Sequence, residues 1–160
     1  MTLSDDKLGF DPLTGTPKLF CDVFEWLERE SVRYVVVGGV AVVLHGHERQ
    51  VADLDIVVAS ESEELRRASV TLAKAGFVSS LPLPLNMLTV ARLFDAHARE
   101  IDVFVRYRIP FAELWSDSWM AKVGEEKVRV MSLKHLLQVK RLDARPNDLE
   151  DLKALLAHRQ

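Results

Sequence analysis

The sequence predicts an α+β domain, a mixed β-sheet with helices packed against it. Three observations lead there. Short β-branched runs bounded by glycine or polar residues read as strands, such as 33–37 (RYVVV) before Gly38-Gly39. Other stretches repeat apolar residues at helical spacing, as Phe20, Val23, Phe24 and Leu27 do. The two kinds are mixed rather than strictly alternating, and a turn-length link, DAHAR, joins two of the strand-like runs.

Residues 1–16 are rich in Gly, Pro, Asp and Thr and read as an N-terminal arm; residues 17–160 read as a single domain. Pro17 suits the first turn of the opening helix. After strand 33–37, the segment VAVVLHG reads as a short apolar helix closed by Gly46. Asp53 to Ala59 is a second strand. Ser60, with Glu63 three residues on, matches a capping box for a helix carrying Leu65, Ala68 and Leu72 and ending at Gly76. Pro82 and Pro84 mark a loop. Met87–Phe94 and Glu100–Val105 are expected to form an antiparallel hairpin. A helix is expected over 111–120, placing Trp115 and Trp119 on one face as core or interface residues. A strand over Lys127–Val130 precedes C-terminal helices at 132–144 and 148–158, separated by Pro146, the second capped by Asn147 with Glu150.

Composition sets the class. The chain has 160 residues, 48% hydrophobic and 28% charged, enough for one core without disulfide or metal staples. One cysteine, Cys21, excludes an internal disulfide and reads as a small core residue. The start MTLSDDKLGF has neither a basic nor an apolar run, so no signal peptide is expected. No stretch approaches the roughly 20 apolar residues that span a bilayer, so the expected location is the cytosol, with no membrane partner. A net charge of −3 does not mark a nucleic-acid binder. Arg106, Arg108, Arg129, Lys134, Lys140, Arg141 and Arg145 read first as solvated surface charge.

Asp53-Leu54-Asp55 carries the chemistry. In a strand, residues i and i+2 face the same way, roughly 6.5 Å apart. Strand interiors usually exclude Asp, and two on one face repel unless a cation sits between them. Carboxylate pairs suit Mg²⁺, which such sites hold together with substrate phosphates. Asp102 repeats the anomaly within Ile101–Val105. If its strand lies beside the first, three acids converge and can hold two metals, the arrangement used in phosphoryl transfer. Asp102 is then the candidate general base. The alternative places these acids at strand ends or turns. Gly38-Gly39 lies between a strand and a helix, where backbone can approach a phosphate closely, or simply punctuates the chain. Lys140 falls on the apolar face of its helix with Leu133, Leu136 and Leu137. It must meet an anion, either nucleotide phosphate or a salt-bridge partner in Asp148 or Asp151. His45 and His47 lack a clear third ligand for zinc, and His45 reads as a packing residue.

The ordered set Val37-Gly38-Gly39-Val40-Ala41, Leu44-His45-Gly46, Arg49, Asp53-Leu54-Asp55 and Asp102 resembles the DNA polymerase β-type nucleotidyltransferase superfamily. It is most similar to the small bacterial branch of AbiEii-type toxins and minimal nucleotidyltransferases, to which Leu136–Lys140, Arg145, Asp148, Asp151 and Leu152 also point. The resemblance covers most of residues 33–155. It implies the nucleotidyltransferase fold and transfer of a nucleoside monophosphate from a nucleoside triphosphate such as ATP to an acceptor hydroxyl. It also implies Mg²⁺, a tRNA, protein or small-molecule acceptor, and an antitoxin partner if the chain is toxin-like. Asp53, Asp55 and Asp102 are the implied catalytic and metal residues; Gly38, Gly39, Arg49 and Lys140 are the implied nucleotide-binding ones. Gly39 stands where many members carry serine, so backbone N–H groups would make that phosphate contact. The alternative is a catalytically weak module of the same fold that binds nucleotide or a protein.

Overall fold

A computed structural model describes residues 20–47, 51–81 and 83–158. Among these residues seven strands form one mixed sheet: β1 Tyr34–Val37, β2 Asp53–Val58, β3 Val78–Ser79, β4 Val90–Phe94, β5 Glu100–Phe104, β6 Trp119–Val123 and β7 Glu126–Val130. Their order across the sheet is β3-β4-β5-β2-β1-β7-β6. β2 runs parallel to β5, and β1 parallel to β7; the other neighbours are antiparallel. Among the described residues six α-helices accompany it: α1 Cys21–Arg29, α2 Gly38–Leu44, α3 Ser62–Lys74, α4 Phe111–Asp117, α5 Leu133–Asp143 and α6 Pro146–His158. The α+β class is as expected.

The two faces of the sheet are used differently. Tyr34 and Val36 stand opposite Val58 and Ile56, on the face that also carries Leu54, Ile101 and Val103. Phe24 of α1 stacks on Tyr34, and α1 packs on α3, so these helices bury that face. The other face carries Val35, Val37 and Val57 and is covered only in part. Arg33 lies over the rings of Phe111 and Trp115 in α4, and Leu136 and Val139 of α5 close over Val37 and Phe104. The acids of β2 and β5 emerge on this second face.

Several expected elements shift. The capping box at Ser60 does not form: α3 starts at Ser62 without a side-chain cap, and Glu63 instead pairs with Arg66 at 2.6 Å. Residues 85–87 form a single 3₁₀ turn anchored by buried Leu85, so β4 starts only at Val90. The helix expected to reach residue 120 stops at Asp117, where the Ser118 hydroxyl donates to the Trp115 carbonyl at 2.6 Å. Trp119 then opens β6, which pairs along β7 through a turn at Gly124, a residue with φ of +60°. Trp115 and Trp119 therefore do not share a helix face. At the C-terminus α6 begins at Pro146, so Asn147 lies inside its first turn. The capping role falls to Asp148, whose carboxylate accepts from the Arg145 backbone N–H at 3.2 Å. Ser132 caps α5 by accepting from His135 N–H at 3.1 Å. Cys21 packs, half-buried, against the core.

Candidate active site

The site starts from the period of two in β2 and β5 and from the register between them. Asp53 and Asp55 point to the same face because one residue separates them. In the parallel pair Asp53 stands beside Glu100 and Asp55 beside Asp102. Four carboxylates thus occupy a two-by-two patch on the partly uncovered face. Ligand oxygens of Asp53, Glu100 and Asp102 lie within 4.8 Å of one another. The register puts Asp53, Asp55 and Asp102 on one patch, but the acids whose oxygens meet within that distance are Asp53, Asp102 and Glu100, with Asp55 beside Asp102. Glu100 carries the same signal as the D-x-D pair, an acid two residues from another acid in a strand, but it opens β5 and the sequence reading passed over it.

Charge accumulates here. Burial, and then the charges of Asp102 and Asp53, push the Asp55 carboxyl up to about 7. Burial and the neighbouring Glu100 raise Asp53; burial and Asp102 raise Glu100. Among the described residues a counter-charge comes from Arg92 of β4, with Nε 3.7 Å from Asp102 Oδ1 and a largely exposed side chain. A screened contact of that length offsets little of the repulsion. Asp102 Oδ1 is itself buried and accepts no hydrogen bond. An orphaned buried carboxylate oxygen amid hard oxygen donors is what a divalent cation such as Mg²⁺ satisfies, so the residues fit that ion.

Gly38 belongs to the same patch. Its φ is +67°, and a Cβ there would lie 2.1 Å from Asp55 Oδ2. The Asp55 carboxylate therefore lies directly on the Gly38 backbone, a contact that only glycine permits. Gly38 and Gly39 line a cavity of about 630 Å³ with Asp55, Lys140, Arg145, Asn147 and Asp148.

Lys140 meets its anions on α6: Nζ is 2.9 Å from Asp148 Oδ1 and 3.0 Å from Asp151 Oδ2. The salt-bridge alternative is the one the fold forms, and both named partners take part. Arg145 Nε also donates to Asp148 Oδ2 at 2.8 Å. Burial acts to raise the Asp148 carboxyl, but the bonds from Arg145 and Lys140 outweigh it and hold it near about 2. Lys140 nonetheless lines the cavity beside Gly38 and Asp55. His45 and His47 serve different partners: His45 Nε2 lies 2.8 Å from the Met131 carbonyl with its ring edge-on to Trp119, while His47 faces Asp151 at 3.4 Å. The packing reading of His45 holds. Arg49 lies outside the described residues.

No family model matches the chain, and no curated protein does. Solved structures do. An antigenic nucleotidyltransferase-like protein from Paracoccidioides brasiliensis superposes with a TM-score of 0.63 at 18% identity, over 87% of this chain and 74% of the other. The lincosamide antibiotic adenylyltransferase LnuA, lincomycin-bound, gives 0.64 at 19% identity over 86% and 93%. ANT(2")-Ia, in complex with adenylyl-2"-tobramycin, gives 0.61 at 13% identity over 89% and 88%. At such identities the likeness speaks for architecture. No helix among the described residues is long and apolar enough to cross a membrane. The chain thus has the nucleotidyltransferase fold, with four acids gathered on the open face of its sheet.

Proposed function

We propose that the protein is a Mg²⁺-dependent nucleotidyltransferase that moves a nucleoside monophosphate from a nucleoside triphosphate to an acceptor hydroxyl, releasing pyrophosphate. The observation that carries this reading is the register that sets Asp53 and Asp55 beside Glu100 and Asp102 on an open face next to Gly38. A protein with no use for a cation gains nothing from four clustered carboxylates, one with a stranded buried oxygen.

Asp53, Asp55 and Asp102 would hold the metal ions, with Glu100 completing the set. Bound there, Mg²⁺ supplies Lewis-acid stabilisation of charge on the transferring phosphoryl group and on the attacking and leaving oxygens. The chain's own residues do the rest. Gly38 and Gly39 leave room for phosphate to approach the backbone. Lys140 and Arg145 line the cavity wall within their ion pairs to Asp148 and Asp151 and are proposed to turn their remaining N–H donors to phosphate, and Arg49 is proposed as a further phosphate contact. Asp102, centred in the cluster, is the proposed acceptor of the proton from the attacking hydroxyl.

For the acceptor, we favour a small hydroxylated molecule over tRNA or a protein. The support is that two proteins of this fold are antibiotic adenylyltransferases, one lincomycin-bound and one holding adenylylated tobramycin.

The test is Mg²⁺-dependent pyrophosphate release from each of four triphosphates in cell extract, comparing wild type with Asp53→Asn/Asp55→Asn. The expected result is release that falls about 100-fold or more in the variant, the order seen when a charge-stabilising group is removed. Label transferred from the triphosphate then identifies the acceptor as small molecule, RNA or protein. Equal release from both proteins would overturn the reading.

A further inference from the structure

The strand β4 flanks the acid cluster on the side away from the cavity. In the order β4-β5-β2-β1 the acids take the middle, with the cavity at Gly38 on the β1 side. β4 pairs antiparallel with β5, so that Val90 stands beside Phe104, Arg92 beside Asp102 and Phe94 beside Glu100. Directly paired residues share a face, so Val90, Arg92 and Phe94 lie on the face that carries the acids. Val78 of β3 pairs with Phe94 and extends the row by one strand. The alternate residues Ala91 and Leu93 are buried on the other face.

This row departs from ordinary strand patterning. Where one face of an antiparallel pair meets the core and the other meets water, the outer positions are normally polar. Here Val78 is 65% exposed, Val90 37% and Phe94 37%, and the Arg92 side chain between them is largely exposed as well. Single exposed apolar side chains need no explanation. Three together, gathered round a guanidinium and bordering the acids, make a surface. From Val90 to Phe94 it runs about 13 Å, and it reaches the acids across one strand spacing of about 4.8 Å. Those are the dimensions of a small molecule with one end at the acids.

Arg92 sets the charge of this surface. Among the described residues its ion pair is the 3.7 Å approach to Asp102 Oδ1, too long for a hydrogen bond. Asp102 Oδ1 is also the oxygen offered to a cation. With the acids loaded, the planar fork of Arg92 is left to grip an oxyanion through two parallel N–H donors.

Attacking and leaving oxygens lie roughly in line through the transferred phosphorus. With the phosphates in the cavity on the β1 side, the attacking hydroxyl comes from the β4 side. We propose that Val78, Val90, Arg92 and Phe94 form the acceptor platform, and that the acceptor is a small hydroxylated compound with an apolar face and an anionic oxygen group. Its hydroxyl lies at Asp102, its apolar face on Phe94 and Val90, and its anion on Arg92. The bond formed joins the acceptor oxygen to the α-phosphorus. The bond broken is the one from that phosphorus to pyrophosphate, and the hydroxyl proton passes to Asp102. This assignment rests on the proposed nucleotidyl transfer and names the class of acceptor.

Titrations of the full chain in Mg²⁺, followed by NMR at the Phe94 ring and the Arg92 Nε–H, test it with four probes. 3-Phenyllactate carries ring, hydroxyl and carboxylate. Lactate lacks the ring, 2-phenylethanol lacks the anion, and phenylalaninol replaces the anion with an ammonium group. 3-Phenyllactate is expected to shift both signals and to bind about tenfold or more tightly than each of the others, the order of one charge-assisted hydrogen bond or one covered ring. Arg92→Gln should bring it to the level of 2-phenylethanol, and Phe94→Ser to that of lactate. Both side chains are exposed, so the melting temperature should hold in both variants. Labelled acceptor purified from the transfer reaction gives a second reading: its KM should rise about tenfold in each variant, with kcat changed less. Probes that bind away from Phe94 and Arg92, no preference for the anion, or an acceptor KM unmoved in both variants would each overturn the platform while Mg²⁺-dependent pyrophosphate release by wild type still stood. Absence of that release would overturn the nucleotidyl reading and the platform with it.

Discussion

Asp55 bears the heaviest electrostatic load in the cluster, and its surroundings make two predictions at the scale of single residues. Its carboxyl is held near about 7 in the fold, against about 3.9 in an unfolded chain. Between those values the native state binds the extra proton, so stability without metal falls as pH rises from about 4 to 7 and levels off above that. Thermal melts of metal-free protein across this range should show the decline. Asp55→Asn should flatten it and raise the melting temperature at pH 8; a variant no more stable than wild type there would contradict the assigned burial. Gly38 is the second case. Gly38→Ala sets a methyl group 2.1 Å from Asp55 Oδ2 at a φ of +67°. The strain of that conformation is about 1 kcal/mol or more, before any displacement of Asp55. Reduced stability with activity lost in larger proportion is expected in melts and pyrophosphate assays. Among the acids, Glu100 was legible in principle from its spacing to Asp102. Its position at the first residue of β5 hid it, since strand ends tolerate acids readily.

At the scale of elements, the joint between α5 and α6 is an ion cluster rather than a purely apolar seam. Lys140 is 7% exposed and bonded to two carboxylates of α6, one of them also held by Arg145. Removing Asp148 leaves Lys140 with Asp151 alone and takes from Arg145 its buried partner, a part of the about 3–5 kcal/mol that breaking a buried pair outright costs. Asp148→Ala should therefore destabilise the protein far more than Asp143→Asn, as urea denaturation would show. The pH window follows from the depressed Asp148 carboxyl: its contribution is complete above about pH 4 and is lost as pH falls toward about 2. Asp148→Asn should lack that acid transition. The sequence pointed to an anion for Lys140 because an ammonium group on an apolar helix face demands one. It named both partners, but not that both would bind at once. The β6–β7 hairpin was hidden for a different reason. Trp119 continues the helical spacing from Trp115, and only the free edge of β7 offers residues 119–123 a ladder.

For the whole molecule, the sheet is sealed by α1 and α3 on one face and left partly open on the other, so the acids reach solvent while their strands stay anchored in the core. An ion that binds the native cluster and not the unfolded chain stabilises the fold by mass action. Mg²⁺ or Mn²⁺ should therefore raise the melting temperature of wild type in a concentration-dependent way. Asp53→Asn/Asp102→Asn should abolish the rise, and a rise that persists in that variant would place the cation elsewhere.

Local patterning was enough to mark Asp53 and Asp55 as sharing a face, to put Gly38-Gly39 at the strand-to-helix junction, where they prove to be the helix's first two residues, and to mark the main helices, because these depend on residue period and backbone permissiveness within one element. The meeting of Asp55 with Asp102 and the inclusion of Glu100 are of another kind. They depend on the parallel register of β2 and β5. That register is fixed by burying Leu54, Ile56, Ile101 and Val103 on the opposite side, and a slip of one residue in either strand would turn that strand's acids into the core. Packing between segments far apart in the chain makes that choice, and no short stretch of residues contains it.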